Sequence, residues 1–390
     1  MIKKKKFLAL TITVSMLASS MFFSPQISAK NLTTSKTGVN LITSTTPSFI
    51  DDAASNEFSN QISSILDAPE KYGFNPSEVK HFKLGHAFTC YYYNDSSLKS
   101  EKGYSYPVLY GNKIRGIFSL VKNSNGEFTS TLTKSFSEKL SKLNQDNFII
   151  VNANNNIFAV SKNNSILLEK STNKSNSNFN KLSAAQLSKI NSLIKSQSTL
   201  EEDITNPISS TNNLNFSSKI TAVASSKTLP VSIVLQGDHP WCWAATCAAL
   251  INYDKNLSIT KEDVVNYIFG SLVEEGGSDS DIMNVYKHWG LSPKEYTSPL
   301  SYNQTVSYIN NNDPLNTLMY YDEGYSDAEG HSMSLIGYSS TRTGYKTYKM
   351  IDPNMDYYVS VKATTSGSNI YYSLDGYDFY WSETVAPIAE

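Results

Sequence analysis

An α+β fold is predicted for the last 160 or so residues of this 390-residue chain, preceded by a mostly β unit of about 110 residues. Two observations predict the C-terminal arrangement. Residues 242–253, 260–268, 279–289 and 303–311 carry helical apolar spacing, and no strand pattern interrupts them. After them come five strand-like runs, "LNTLMYY", "HSMSLIGYS", "YKTYKMID", "DYYVSVKA" and "DGYDFYWSE". Helices followed by an antiparallel sheet is the α+β order, and a cleft between two such halves is a natural site. A third observation predicts the β unit: residues 80–170 are short strands split by polar turns.

Taken in order, the chain opens as an export signal. Lys3 to Lys6 form a basic stretch, Phe7 to Phe23 an apolar one, and Ile27-Ser28-Ala29 a small-residue cleavage site, so residues 1–29 are expected to be removed. Residues 30–54 are Ser/Thr-rich and are expected to be flexible. A β domain is expected over 55–170, opening with an amphipathic helix around Glu57 to Ala68. Its strands are "AFTCYYYN", "SYPVLYG", "IRGIFSLV", "NFIIVNA", "NIFAVSK" and "SILLEK", and it contains no catalytic cluster. Residues 171–228 shift to Ser, Asn, Thr and Lys around one helix candidate, "SAAQLSKINSLIKSQ". With little to pack a core, they are expected to be a protease-accessible linker. The α+β unit then fills 229–390.

Charge is divided unevenly. Lys30 to Pro230 holds 21 Lys/Arg against 15 Asp/Glu, a balance of +6, whereas Val231 to Glu390 holds 8 against 20, a balance of −12. An acidic C-terminal half argues against a nucleic-acid partner, and opposite signs predict that the two halves associate. Beyond the signal, no segment is apolar enough to predict a membrane span. The secreted, extracellular product is expected to be soluble.

Three cysteines, Cys90, Cys242 and Cys247, are an odd number for an oxidising compartment. If "CWAATCAALINY" is helical, Cys242 and Cys247 stand roughly 7.5 Å apart along its axis, beyond disulfide reach. With no Cys-x-x-Cys pair and no His/Cys cluster, neither a metal nor any other cofactor is predicted. Cys247 lies inside the helix and Cys90 inside a strand, where a free thiol acts as a small hydrophobe. Cys242 differs. Pro240-Trp241 sets it at the helix start, where unsatisfied N–H groups and the macrodipole favour a thiolate.

A thiolate nucleophile needs a base from elsewhere in the chain. Among His81, His86, His239, His288 and His331, only His331 opens a strand after a polar loop, "DEGYSDAEG", so that its ring can face a cleft. The next strand, "YKMIDPN", ends in Asp352, with Asn354 two residues on. Either can orient an imidazole, and residues two apart in a strand face the same side. Gln236, six residues before Cys242, can offer an amide beside the Cys242 N–H to a developing oxyanion.

These segments resemble papain-like cysteine peptidases. "QGDHPWCWA" is similar to their nucleophile segment, including the glutamine offset. "GHSMSLIGY" is similar to their histidine strand, and "YKMIDPN" to the strand with the orienting residue. "EEGGSDSDIMNVYKHWGLSP" looks like their glycine-glycine segment. The resemblance covers about 160 residues and implies a two-lobed domain with Cys242, His331 and Asp352 catalytic. It also implies Gln236 as oxyanion donor and Gly276 and Gly277 as substrate-binding. Within the superfamily the likeness is to staphopain-type secreted bacterial endopeptidases, whose propeptide residues 82–110 also resemble. The β unit would then be an inhibitory prodomain. Two departures stand out. Papain and staphopain orient with Asn, while bacteriocin-processing peptidases use Asp. The tryptophan that follows the orienter in the former two is replaced here by Pro353-Asn354-Met355, leaving Trp381 as the candidate shield.

The function so implied is a secreted cysteine endopeptidase made as a zymogen, with protein or peptide substrates and its own prodomain as intramolecular partner. The alternatives are a dedicated processing peptidase or a transferase on the same scaffold, or a non-catalytic surface-binding protein.

Overall fold

The computed structural model describes residues 40–44, 46–123, 126–143, 147–154, 156–170, 180–197, 206–207, 221–321, 330–363, 370–374 and 377–388. The export signal, most of the Ser/Thr-rich stretch and much of the linker, including Asn215 to Ile220, lie outside them. Among the described residues no helix is long and apolar enough to cross a membrane.

Four helices run through the first half of the C-terminal unit: Cys242–Lys255, Lys261–Phe269, Asp279–His288 and Tyr302–Asn310. The last three start at reciprocal capping boxes, Thr260 with Asp263, Ser278 with Asp281 and Ser301 with Gln304, which fix their N-termini. The first has no side-chain cap and ends at Asn256, which takes a left-handed conformation. Its stability comes from burial instead. Every residue from Cys242 to Ile251 is buried, and the small residues Ala244, Ala245, Ala248 and Ala249 let it lie close against the sheet.

The antiparallel sheet centres on the strand Gly330–Thr341, flanked by Leu315–Tyr321 and Lys346–Ile351. Beyond Leu315–Tyr321 lie Tyr377–Ile388 and then Ser292–Tyr296; beyond Lys346–Ile351 lies Tyr358–Lys362. Two of these elements were not foreseen. Ser292–Tyr296 contains a proline and three charged or polar residues, and it pairs at the sheet edge. Val223–Thr228 falls inside the expected linker, yet pairs with Gly337–Thr341 of the central strand. Gly337 makes this possible, because a Cβ there would stand 2.5 Å from the Lys227 carbonyl oxygen.

The N-terminal unit has the six expected strands and a longer opening helix, Ser48–Ile65, than the Glu57 start predicted. Its strands divide between two sheets. Phe128–Thr133, which is not among the expected strands, pairs with Tyr358–Lys362 and joins Lys113–Lys122 and Tyr104–Tyr110 to the C-terminal sheet. The remaining strands form a second sheet with its own small core, Tyr91, Ile149, Val151 and Phe158, closed by Leu182 and Ile190 at the helix Ala184–Gln197.

Association of the halves follows the predicted direction, but its short-range charges do not. Glu57 pairs with Lys362 at 2.5 Å and Asp67 with Lys349 at 2.9 Å, so the acidic partners come from the basic half. Lys170 with Asp238 at 3.5 Å has the expected sense, and it is the more exposed contact. Net charge sets the far field, whereas the packing of the chain selects individual pairs.

Candidate active site

Cys242 is the first residue of its helix, with Trp241 as N-cap. It lies on the wall of a cleft of ≈ 410 Å³. One wall is formed by Pro240, Cys242, Trp243 and the 275–282 segment, the other by Leu318–Tyr320 and Gly330–Ser332. The helix is tied to the sheet one turn past the cysteine, where Thr246 Oγ1 donates to the Ser332 carbonyl oxygen at 3.0 Å. Ser332 follows His331, so this bond brings the thiol and the imidazole to the same level.

Of the five histidines, only His331 lines the cleft. His239 stacks on Trp241 at 4.0 Å and bonds Glu274 at 2.7 Å on the surface, and His288 stacks on Tyr267 at 3.8 Å at a helix end. His331 Nε2 bonds Asp352 Oδ1 at 2.9 Å, and the ring also bonds the Cys242 side chain. Burial works against the imidazolium, but the Asp352 carboxylate and the Cys242 sulfur outweigh it and hold His331 protonated well above the usual histidine range.

Asp352 and Asn354 are separated by the turn they share. Asp352 is buried, at 2 % exposure, and its Oδ1 accepts both the imidazole and the Asn354 backbone N–H at 2.9 Å. The Asn354 side chain points to solvent. Gln236 is buried as well. Its backbone N–H donates to Pro353 O at 2.9 Å, linking the nucleophile segment to the Asp352 turn, and its amide donates to His239 O at 3.1 Å. It lies beside the cleft rather than among its lining residues.

Gly276 and Gly277 both line the cleft, for different reasons. A Cβ on Gly277 would sit 2.4 Å from the Trp243 ring, whereas one on Gly276 would meet nothing. The two tryptophans that flank the cysteine bind this segment. Trp241 Nε1 donates to Val273 O at 2.8 Å and Trp243 Nε1 to Glu275 O at 3.4 Å.

Three features were not read from the sequence. Phe379, not Trp381, covers the histidine: its ring stacks on His331 at 5.6 Å and 29°. Trp381 instead packs edge-on against Tyr348 and donates to Glu383 O at 2.8 Å. Strand alternation in "DGYDFYWSE" offered both aromatics on one face, and nothing in the run ranks them. Second, Ser332 Oγ donates to Asn316, whose amide donates to the Tyr286 hydroxyl, so a buried polar row backs the histidine strand. Third, Cys247 bonds that same Tyr286; burial is the main cause that pushes its thiol up to about 12.

Among the described residues, one acidic group could hold a metal, Asp279, Glu295 and Glu383. One of its members, Asp279, lines the same cleft as Cys242 and His331, and the thiol–imidazole chemistry does not call on the group.

The matched family bears on this arrangement. Residues 223–365 match the family described as papain-like cysteine protease AvrRpt2. That interval opens at the strand Val223–Thr228 and contains Gln236, Cys242, Gly276, Gly277, His331 and Asp352; residues 82–110 are outside it. A structure of digestive procathepsin L 3 of Tenebrio molitor larval midgut is similar at 11% identity and a TM-score of 0.27, over 41% of this chain and 70% of that one. No curated protein matches. With its cleft, its buried thiol–imidazole–carboxylate row and this family match, the segment 223–365 is a papain-like cysteine peptidase domain.

Proposed function

We propose that the chain is an exported cysteine endopeptidase, made as a precursor that is cut in the connector. The observation that carries the chemistry is the position of His331, bonded to Asp352 on one side and to Cys242 on the other at the cleft wall. A thiolate–imidazolium pair forms there. Cys242 Sγ attacks the peptide carbonyl carbon, and the negative charge moves to the carbonyl oxygen. The Cys242 N–H and the Gln236 amide stabilise that oxyanion, the latter exchanging its bond to His239 O. His331 then gives its proton to the leaving amine, and the acyl-enzyme forms. Water, deprotonated by His331, attacks the thioester and releases the acid. Asp352 holds the ring and its charge throughout.

The helical wall and the sheet wall are the two lobes of the cleft in this reading, and Gly276 and Gly277 pair with an extended substrate backbone. Export rests on Lys3–Lys6, Phe7–Phe23 and the small-residue site before Lys30. Processing rests on linker composition. Because Val223–Thr228 is paired in the sheet, the cut expected between about Asn215 and Leu229 falls before Thr221. An N-terminal unit acting as inhibitor would have to do so from outside the cleft, since none of its described residues lines it.

The test is digestion of casein by processed chain, with N-terminal sequencing of the processed form. Hydrolysis that stops on alkylation of Cys242 supports the proposal. Intact casein after prolonged incubation with chain whose unmodified Cys242 still reacts with iodoacetamide would leave the non-catalytic binding protein as the better description.

A further inference from the structure

Three of the contacts between the N-terminal unit and the C-terminal half bear on the histidine. At the sheet edge, Leu132 pairs with Ser360 and Thr131 with Val361. Below it, the ammonium of Lys349, a side chain only 2% exposed, takes its carboxylate from Asp67 at 2.9 Å, with Ser226 Oγ at 3.0 Å. The third contact is with the hairpin of Ile370–Leu374 and Tyr377–Ile388. Thr131 Oγ1 donates to Ser373 O at 2.6 Å, and Lys102 N donates to Asp378 Oδ2 at 2.8 Å. The next residue, Phe379, projects to the opposite face of its strand and stacks on His331. The N-terminal unit therefore stands one residue from the ring that covers the histidine.

We propose that this unit is a permanent subunit of the working peptidase, which stays bound when the connector is cut and holds the hairpin so that Phe379 positions His331. An inhibitor that leaves would be expected to dock on a surface complete without it. This surface is not. Removing the unit would open the backbone of Tyr358–Lys362 as a new sheet edge and strip a buried ammonium of its carboxylate. It would also free the hairpin at Ser373 and Asp378. Phe379, at 3% exposure, keeps water from the His331–Asp352 bond, which is stronger for being dry. The inference rests on the peptidase reading only for what the subunit supports.

The experiment uses the full chain with a site for a sequence-specific protease placed between residues 208 and 220. After cutting, the two fragments should elute together at the mass of the intact chain. The pH profile of Cys242 alkylation by iodoacetamide should overlay that of uncut protein, and hydrolysis of a short peptide anilide should stay within about twofold. Release of the N-terminal fragment, with or without a gain in hydrolysis, overturns the proposal. In the uncut chain, Phe379→Ala and Asp378→Ala should each narrow the alkylation profile from its alkaline side. Phe379→Ala should lower kcat about tenfold with KM little changed, and Phe379→Tyr should restore most of it. An alkylation profile unmoved in both alanine variants overturns the positioning role. Should cut and uncut chain both fail to hydrolyse peptide while the fragments co-elute with overlaid profiles, the subunit stands and the peptidase reading fails.

Discussion

Replacing Asp352 by alanine removes the carboxylate that His331 Nε2 bonds at 2.9 Å. Both side chains are nearly dry, at 4% and 3% exposure, so water does not substitute for the lost partner. A hydrogen bond to a charged group is worth about 1.5–3 kcal/mol. At 1.36 kcal/mol per factor of ten, the expected loss in kcat/KM is about 10- to 150-fold, and burial places it toward the upper end. Asn354→Ala should cost less than about twofold, because Asn354 reaches Asp352 through its backbone N–H, which alanine keeps. The pH dependence separates orientation from charge. His331 is held protonated well above its ordinary value of 6.5, so the ion pair is fully present below that value and is lost as pH rises through the raised one. Without Asp352 the burial that opposes the imidazolium meets less resistance, and the alkaline limb of activity moves to lower pH. Asp352→Asn, which keeps an acceptor and drops the charge, should move the limb likewise but retain more turnover. The assay is peptide anilide hydrolysis across pH 5–10, paired with iodoacetamide alkylation. A larger loss in Asn354→Ala than in Asp352→Ala, or an alkaline limb unmoved in Asp352→Ala, refutes the reasoning.

Cys242→Ala should abolish hydrolysis, whereas Cys247→Ala should keep most of it, and mass spectrometry of native protein treated with iodoacetamide should find the label on Cys242 alone; the buried Cys247 thiol, pushed up to about 12, is unreactive at neutral pH. Gly277→Ala should displace the Trp243 ring and raise KM severalfold or more, while Gly276→Ala, whose Cβ meets nothing, should stay within about twofold in steady-state kinetics. Glu101 is buried between Cys90, Ser373 and Asp378, and burial, then the Asp378 charge, raises its carboxyl well above the ordinary 4.5. Its contribution to stability is present below that value and declines as pH rises through the raised one, so thermal unfolding of the full chain should occur at lower temperature with rising pH, less steeply in Glu101→Gln. Equal slopes in the two proteins would count against it.

Much of the local structure was legible because its causes are local. The helices at Lys261, Asp279 and Tyr302 begin at Thr260, Ser278 and Ser301, each followed three residues later by a side chain able to complete a capping box. The strands of the C-terminal sheet carry period-two patterns or aromatic runs that survive in any context. Cys242 could be singled out because a helix start changes thiol chemistry wherever the helix lies. His331 could be singled out because a loop-to-strand junction positions a ring in a similar way across folds.

What the sequence by itself determined, then, was the order of elements and the residue types able to do thiol chemistry. Tertiary structure decided which of them meet. The choice of Asp352 over Asn354 depends on a turn that folds Asn354 N–H back onto the carboxylate. The choice of Phe379 over Trp381 depends on where one strand lies relative to His331. The union of Phe128–Thr133 with Tyr358–Lys362 could not be read at all, because strand pairing between segments more than two hundred residues apart leaves no local periodicity. The sense of the close ion pairs, Asp67 with Lys349 and Glu57 with Lys362, ran against net charge for a related reason. At contact distance the energy belongs to the two charges that meet, and only the folded chain says which two those are.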